Sequence, residues 1–220
     1  MRGFFLRARK IAGHEYLSKR GDSMELVLIR HGLPTKVINE DGVPANPPLS
    51  PQGHAQAKWL ATWLKDEKID RLYSSPMQRA CQTAEPLALQ QGLDIEICEG
   101  VAEYDQQAQH YIPIEELKVL DYKRWLKLMN GEVDAVDFAG FSATVCHSLL
   151  QLIGDNSGKR IAVTCHGGVI NAWAAHVMGF PPRLFFNPNY TSINRFMASR
   201  GGDTTVITLN EHAHILRKLS

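Results

Sequence analysis

The sequence is poor in the features that would settle its class at once. It has 4 cysteines in 220 residues, Cys81, Cys98, Cys146 and Cys165, far apart and with no Cys-x-x-Cys pair. That spacing argues against a disulfide framework or a thiolate metal site and suits reduced thiols in a cytoplasm. Charge of one sign is also lacking: 24 Lys plus Arg stand against 23 Asp plus Glu. Such a balance offers no overall field to draw in nucleic acid or an acidic membrane, so any recognition of an anion has to be local. No uninterrupted apolar run approaches the ~18 residues of a membrane-spanning helix. Internal repeats and low-complexity tracts are missing as well.

What is present is enough chain for one domain with a core of its own. The first 23 residues stand apart, with Arg2, Arg7, Arg9, Lys10, Lys19 and Arg20 against only Glu15 and Asp22. A secretory signal needs about seven consecutive apolar residues or more, and Arg7, Arg9 and Lys10 interrupt the stretch from Phe4 to Ala12. Two readings stay open: a basic helix resting on a membrane or partner, and an extension to a folded part that begins at Met24.

From there the chain alternates between two patterns. Aliphatic runs at 25–29, 69–73, 93–98 and 160–164 read as strands, and 191–198 and 204–209 as a terminal pair. Helices are expected over 51–65, with Ser50 as cap and Pro51 in the first turn, and over 77–91, ended by Gly92. Further helices are expected over 113–129, 141–153 and 167–178. The five prolines and glycines between residues 33 and 49 mark a long loop, and the irregular stretch around 104–140 reads as a cap-like insertion. Strands alternating with helices predict an α/β fold: a three-layer α/β/α sandwich with a mostly parallel central sheet.

On such a sheet, ligands bind beyond the carboxyl ends of the strands. Arg30 and His31 follow the first strand, Arg79 begins the helix after the second, and His166 follows a later strand, so all can meet in one crevice. Arginine donates paired charge-assisted hydrogen bonds to phosphoryl oxygens. A neutral histidine carries a lone pair that can attack phosphorus, and either His31 or His166 could do so. Gly167 and Gly168 open a helix whose N-terminus favours an anion beside His166. Taken singly, each of these residues has an ordinary structural explanation.

Together they form a pattern. Leu28-Ile29-Arg30-His31-Gly32, Pro48-Leu49-Ser50-Pro51-Gln52-Gly53 followed by Gln56-Ala57, Tyr73-Ser74-Ser75-Pro76-Met77-Gln78-Arg79-Ala80-Cys81-Gln82-Thr83-Ala84 and Val163-Thr164-Cys165-His166-Gly167-Gly168 occur in the order and spacing of a known family. The chain from Met24 onward resembles the histidine phosphatase superfamily, in its phosphoglycerate mutase-like branch. The resemblance implies a phosphoglycerate mutase-like fold and a phosphatase that forms a phosphohistidine on His31. Arg30, Arg79 and His166 would complete the phosphate pocket, and Glu103 would donate the proton to the leaving alcohol, with Glu99 as the nearby alternative. It implies a small phosphorylated substrate and neither cofactor nor metal, and it is compatible with a homodimer. Substrate contacts are expected from Arg30, Arg79, Gly167, Thr35 and Asn39, and from Lys36, Asn46, Tyr104, His110 and Tyr111, which flank the same crevice.

Mutases of this family carry Ser three residues and Asn six residues beyond the histidine, where this chain has Pro34 and Val37. That departure favours hydrolysis over a phosphoglycerate mutase-type transfer. A catalytically silent phospho-ligand binding module would be expected to have lost His31, Arg79 or His166, and all three are present.

Overall fold

The computed structural model describes residues 23–129, 137–199 and 202–219. The basic segment 1–23, apart from Ser23, therefore lies outside the described residues.

Four strands run parallel: β1 (Ser23–Arg30), β3 (Arg71–Ser74), β4 (Ile95–Ile97) and β6 (Arg160–Cys165). Two more, β7 (Ile193–Ser199) and β8 (Thr204–Glu211), add antiparallel to one edge, giving the order β4-β3-β6-β1-β7-β8. The sheet is covered on both faces, which is why β1 and β6 are apolar at successive positions rather than at alternate ones.

Alternation sorts those residues between two cores. Leu26 and Leu28 of β1, with Ile161, Val163 and Cys165 of β6, pack with Val145, Leu149 and Trp173. The last three come from α5 (Phe138–Asp155) and α6 (Gly167–Met178). Val27, Ile29 and Ala162 point the other way, toward Leu60, Leu64, Ala84 and Leu87. Those come from α1 (Pro51–Trp63) or its C-cap and from α2 (Gln78–Gln91). The C-terminal helix α7 (Ala213–Leu219) lies against α1. The fold is α/β with a mostly parallel central sheet, as expected.

Local signals set several boundaries. Ser50 caps α1 by accepting the Gly53 N–H at 3.1 Å. Gly92, with φ +66°, ends α2 in the left-handed conformation that glycine adopts without a steric cost.

Four expectations need correction. The helix expected over 113–129 is two, α3 (Ile114–Leu120) and α4 (Tyr122–Met129), because Asp121 adopts an extended conformation (φ −146°, ψ 82°) and accepts the Arg124 N–H at 3.0 Å. The loop over 33–49 contains β2 (Val37–Ile38), paired with β5 (His110–Tyr111). The strand expected from 93 is shorter, and the helix expected from 141 begins at Phe138, capped by Asp137 on the Gly140 N–H.

Candidate active site

The register of the parallel strands brings the charged residues together. Arg30 pairs with Cys165, and Ser74 with Thr164, so the residues immediately after them, His31, His166 and Ser75, emerge side by side at the carboxyl edge. The His31 N–H donates to Cys165 O and the Ser75 N–H to Thr164 O, both at 2.9 Å. The rings of His31 and His166 lie 5.2 Å apart.

His31 is held in one tautomer. Nδ1 lies 2.7 Å from Gly32 O, an acceptor only, so the proton belongs on Nδ1 and the lone pair on Nε2. Arg79 Nε donates toward that lone pair at 3.3 Å. Gly32 N–H donates in turn to Thr83 Oγ1 at 2.9 Å. Burial, with Arg79 and Arg30 nearby, holds the His31 pKa well below the usual histidine value, so the ring is neutral at pH 7.

Arg79 is 1% exposed. It donates to Asp105 at 3.4 Å and lies 4.7 Å over the Tyr111 ring. Arg30 is stacked 4.1 Å over the Tyr190 ring and donates from Nη1 to Pro188 O and Asn187. Arg30 Nε, Arg79 Nη1 and His166 Nδ1 are all buried without a hydrogen-bond partner. Buried polar atoms are nearly always satisfied, and two orphaned guanidinium donors beside a histidine lone pair suit an anion with several oxygens.

His166 is fully buried, with Nε2 2.8 Å from Ser75 Oγ. Its pKa too is held well below the ordinary value by burial first, then by Arg79, His31 and Arg30. His166 is not among the residues of the cleft wall, which include Arg30, His31, Arg79, Glu103 and Gly167.

Glu103 reaches the cleft from the loop after β4, past a short 3-10 turn over Glu99–Val101. Its Oε2 accepts the Gly168 N–H at 2.9 Å and Oε1 the Tyr104 N–H at 3.1 Å. Burial, reinforced by Asp105, raises its pKa to about 7 in spite of those two donors and Arg79. Glu99, the alternative, lies in the 3-10 turn and is not on the cleft wall.

Of the other expected contacts, Tyr104, His110 and Tyr111 line the cleft, and Thr35, Asn39, Lys36 and Asn46 do not. Thr35 Oγ1 donates to Pro48 O, and Asn39 Nδ2 to Val43 O. Asn46 accepts the Gln78 N–H at 2.9 Å, in the first turn of α2. Sequence reading did not single out Ser75, Thr83, Asp105, Asn171 or Tyr190. Ser75 and Thr83 sit inside the Tyr73-to-Ala84 segment that carries Arg79, which was the available signal. Tyr190 and Asn171 had none in spacing or pattern.

The arrangement can hold a tetrahedral anion against a histidine lone pair, with a protonated carboxyl in reach of the same cleft. Comparisons with known proteins agree with that chemistry. The phosphoglycerate mutase-like protein 4 of Arabidopsis thaliana is 29% identical over 208 residues, 88% of each chain. The adenosylcobalamin/alpha-ribazole phosphatase of Escherichia coli is 28% identical over 176 residues, 74% of this chain and 84% of that one. Phosphoserine phosphatase from Entamoeba histolytica, solved with 3-phosphoglyceric acid, superposes with a TM-score of 0.68 at 25% identity. It spans 87% of this chain and 99% of its own. The family model of the histidine phosphatase superfamily (branch 1) matches residues 26–212, and the chain belongs to that superfamily.

Proposed function

We propose that this protein is a phosphatase that hydrolyses a phosphomonoester through a phosphohistidine on His31. The observation that carries the reading is the pair of orphaned buried donors, Arg30 Nε and Arg79 Nη1, around a histidine whose tautomer leaves Nε2 unprotonated.

In the first step His31 Nε2 forms a bond to phosphorus as the ester P–O bond breaks in line. Glu103 gives its proton to the departing alkoxide, which a carboxyl with a pKa of about 7 can do near neutrality. Arg30 and Arg79 stabilise the charge on the equatorial oxygens as preorganised donors. His166 is kept neutral by burial first and then by Arg79, His31 and Arg30; a bound phosphoryl dianion offsets the arginines' part, so His166 can gain a proton and support the transferring group. In the second step water attacks phosphorus, its proton passes to Glu103, and the N–P bond breaks to leave neutral His31 and inorganic phosphate.

Hydrolysis is favoured over a mutase-type transfer because positions 34 and 37 are Pro and Val, which offer a substrate no hydroxyl or amide. Residues 104–140 act as a cap in this reading: Leu117, Arg124, Lys127 and Leu128, from α3 and α4, line the cleft. Residues 130–136 of that segment lie outside the described ones. The cysteines are unpaired, which suits a reducing compartment such as the cytoplasm.

The test is a turnover panel of phosphomonoesters assayed both for inorganic phosphate and for intramolecular transfer. Stoichiometric phosphate release supports the phosphatase, and isomerised phosphoglycerate without release supports the mutase.

A further inference from the structure

The cleft extends well past the phosphoryl end. Its volume is about 680 Å³, room for on the order of twenty non-hydrogen atoms at the roughly 30 Å³ a water molecule occupies in the liquid. A phosphorylated three-carbon acid has about eleven such atoms and would leave much of a drug-sized site uncovered.

Besides Arg30, His31 and Arg79 the wall carries a group of apolar side chains. Ile112, Leu117 and Leu128 contribute from the cap, and Phe185 and Phe186 from the loop between α6 and β7. Both phenyl rings are only partly buried, with one side packed toward the sheet core. Large rings left on a concave wall have their remaining apolar surface in water, and a ligand that covers it gains that surface back.

These rings are also fixed in place. Asn171, on the second turn of α6 and 1% exposed, commits its whole amide to this loop and to its own helix. Oδ1 accepts the N–H of Phe185 at 2.8 Å and of Phe186 at 3.2 Å. Nδ2 donates to Phe186 O at 2.9 Å and to Gly167 O at 2.8 Å. One side chain thereby ties the aromatic loop to the residue that follows His166. Phe185 is held further by edge-on packing against Phe180, with centroids 4.9 Å apart. A wall ordered before binding loses little entropy when a ligand arrives.

We infer that the alcohol side of the substrate is a bulky apolar group, of ring size or larger, that packs against Phe185 and Phe186 while the phosphoryl group sits at His31. The substrates are thus phosphomonoesters of hydrophobic alcohols rather than compact phosphorylated acids. The phosphoryl end of this inference rests on the phosphatase reading. Arg124 and Lys127, which line the cap side, offer the competing chemistry, a carboxylate held on a compact acid.

Alkylphosphonates bind without being cleaved, so their affinity reports on the alcohol pocket independently of turnover. In isothermal titration of the full chain, 3-phenylpropylphosphonate should bind roughly 30-fold more tightly than ethylphosphonate, the gain expected from burying a phenyl ring. Phe186→Ala and, separately, Leu128→Ala should each reduce that ratio at least about fourfold. A wild-type ratio within about threefold overturns the inference, since no apolar surface would then be covered. So does failure of 3-phenylpropylphosphonate to bind, or tighter binding of 3-phosphoglycerate. If the ratio holds and no ester is turned over, the pocket stands and the phosphatase reading alone fails.

Discussion

Gly168 donates its backbone N–H to Oε2 of Glu103 at 2.9 Å, and a methyl group on Gly168 would lie 2.2 Å from Oε1. Glu103, the proposed proton donor, is therefore seated on the first turn of α6, against a residue that cannot carry a side chain. Gly168→Ala must push the carboxyl away. Turnover of alkyl phosphomonoesters should fall by about 10²-fold, the ordinary worth of a general acid. For 4-nitrophenyl phosphate, whose leaving group needs no proton, the loss should be under about fivefold. Steady-state kinetics on the two ester types checks the split.

The two limbs of the pH profile have different owners. In the proposed mechanism Glu103 enters the first step protonated, and with a pKa of about 7 it loses that proton as pH rises past neutrality. The rate for alkyl esters should therefore decline above pH 7. As the proposed nucleophile His31 acts neutral, and since its pKa is depressed the acid limb should lie well below pH 6.5. Asp105→Asn removes a charge that raises the Glu103 pKa, so the alkaline limb should shift to lower pH. A pH–rate series on both proteins measures it.

Behind the nucleophile, Thr191 holds φ +57°, rare for a β-branched residue, and gives its N–H to His31 O at 3.3 Å. Its hydroxyl donates to Tyr190 O and meets His214 Nε2 at 3.0 Å, while His214 Nδ1 is buried without a partner. Burial, then His212, lowers the His214 pKa to about 4. The unfolded chain binds this proton below pH 6.5 and the folded one only below about 4, so the stabilisation is complete above 6.5 and is lost as pH falls toward 4. His214→Gln should show a smaller drop in Tm between pH 6.5 and 4 than the wild type. A drop should remain, because His31 and His166 titrate in the same sense. Thermal melts across that range decide it.

At the opposite end of β1, Arg195 binds Glu67 through two nitrogens at 2.8 Å each, Glu25 at 3.0 Å and Glu211 at 3.2 Å. Removing it leaves three carboxylates in a half-buried site, balanced in part by Arg160 at 2.6 Å from Glu25 and 3.8 Å from Glu67. Arg195→Ala should lower stability by about 3 kcal/mol, as breaking a buried pair does. Glu25 lies five residues before Arg30, ~17 Å along an extended strand, so kcat should stay near the wild-type value. Urea unfolding beside an activity assay tests both halves.

Much of this was legible in the sequence where the signal is local. Runs such as Leu26-Val27-Leu28-Ile29 can be covered only on two faces, and Ser50 and Gly92 mark helix ends by chemistry that works within a few residues. Arg30, His31, Arg79, Glu103 and His166 all lie at the carboxyl edge, as an α/β sheet requires. What escaped depends on contacts between distant segments. No periodicity announces that Val37 pairs with Tyr111, that Tyr190 stacks on Arg30, or that Asn171 clamps Phe185 and Phe186. Asp121 divides α3 from α4 without a glycine or proline, in a stretch of helix-forming residues that reads as continuous. Thr35 and Asn39 flank the crevice along the chain, yet their side chains hydrogen-bond to nearby loop carbonyls.

Covalent catalysis by His31 would leave a phosphoryl group on its ring during turnover. Rapid mixing with a phosphomonoester, an alkaline quench and peptide mass spectrometry should find an acid-labile, base-stable phosphoryl group on His31. His31→Ala should lack the adduct and lose at least about 10³-fold in turnover. Turnover by His31→Ala at the wild-type rate, or a phosphoryl group carried by another residue, would rule out His31 as the nucleophile.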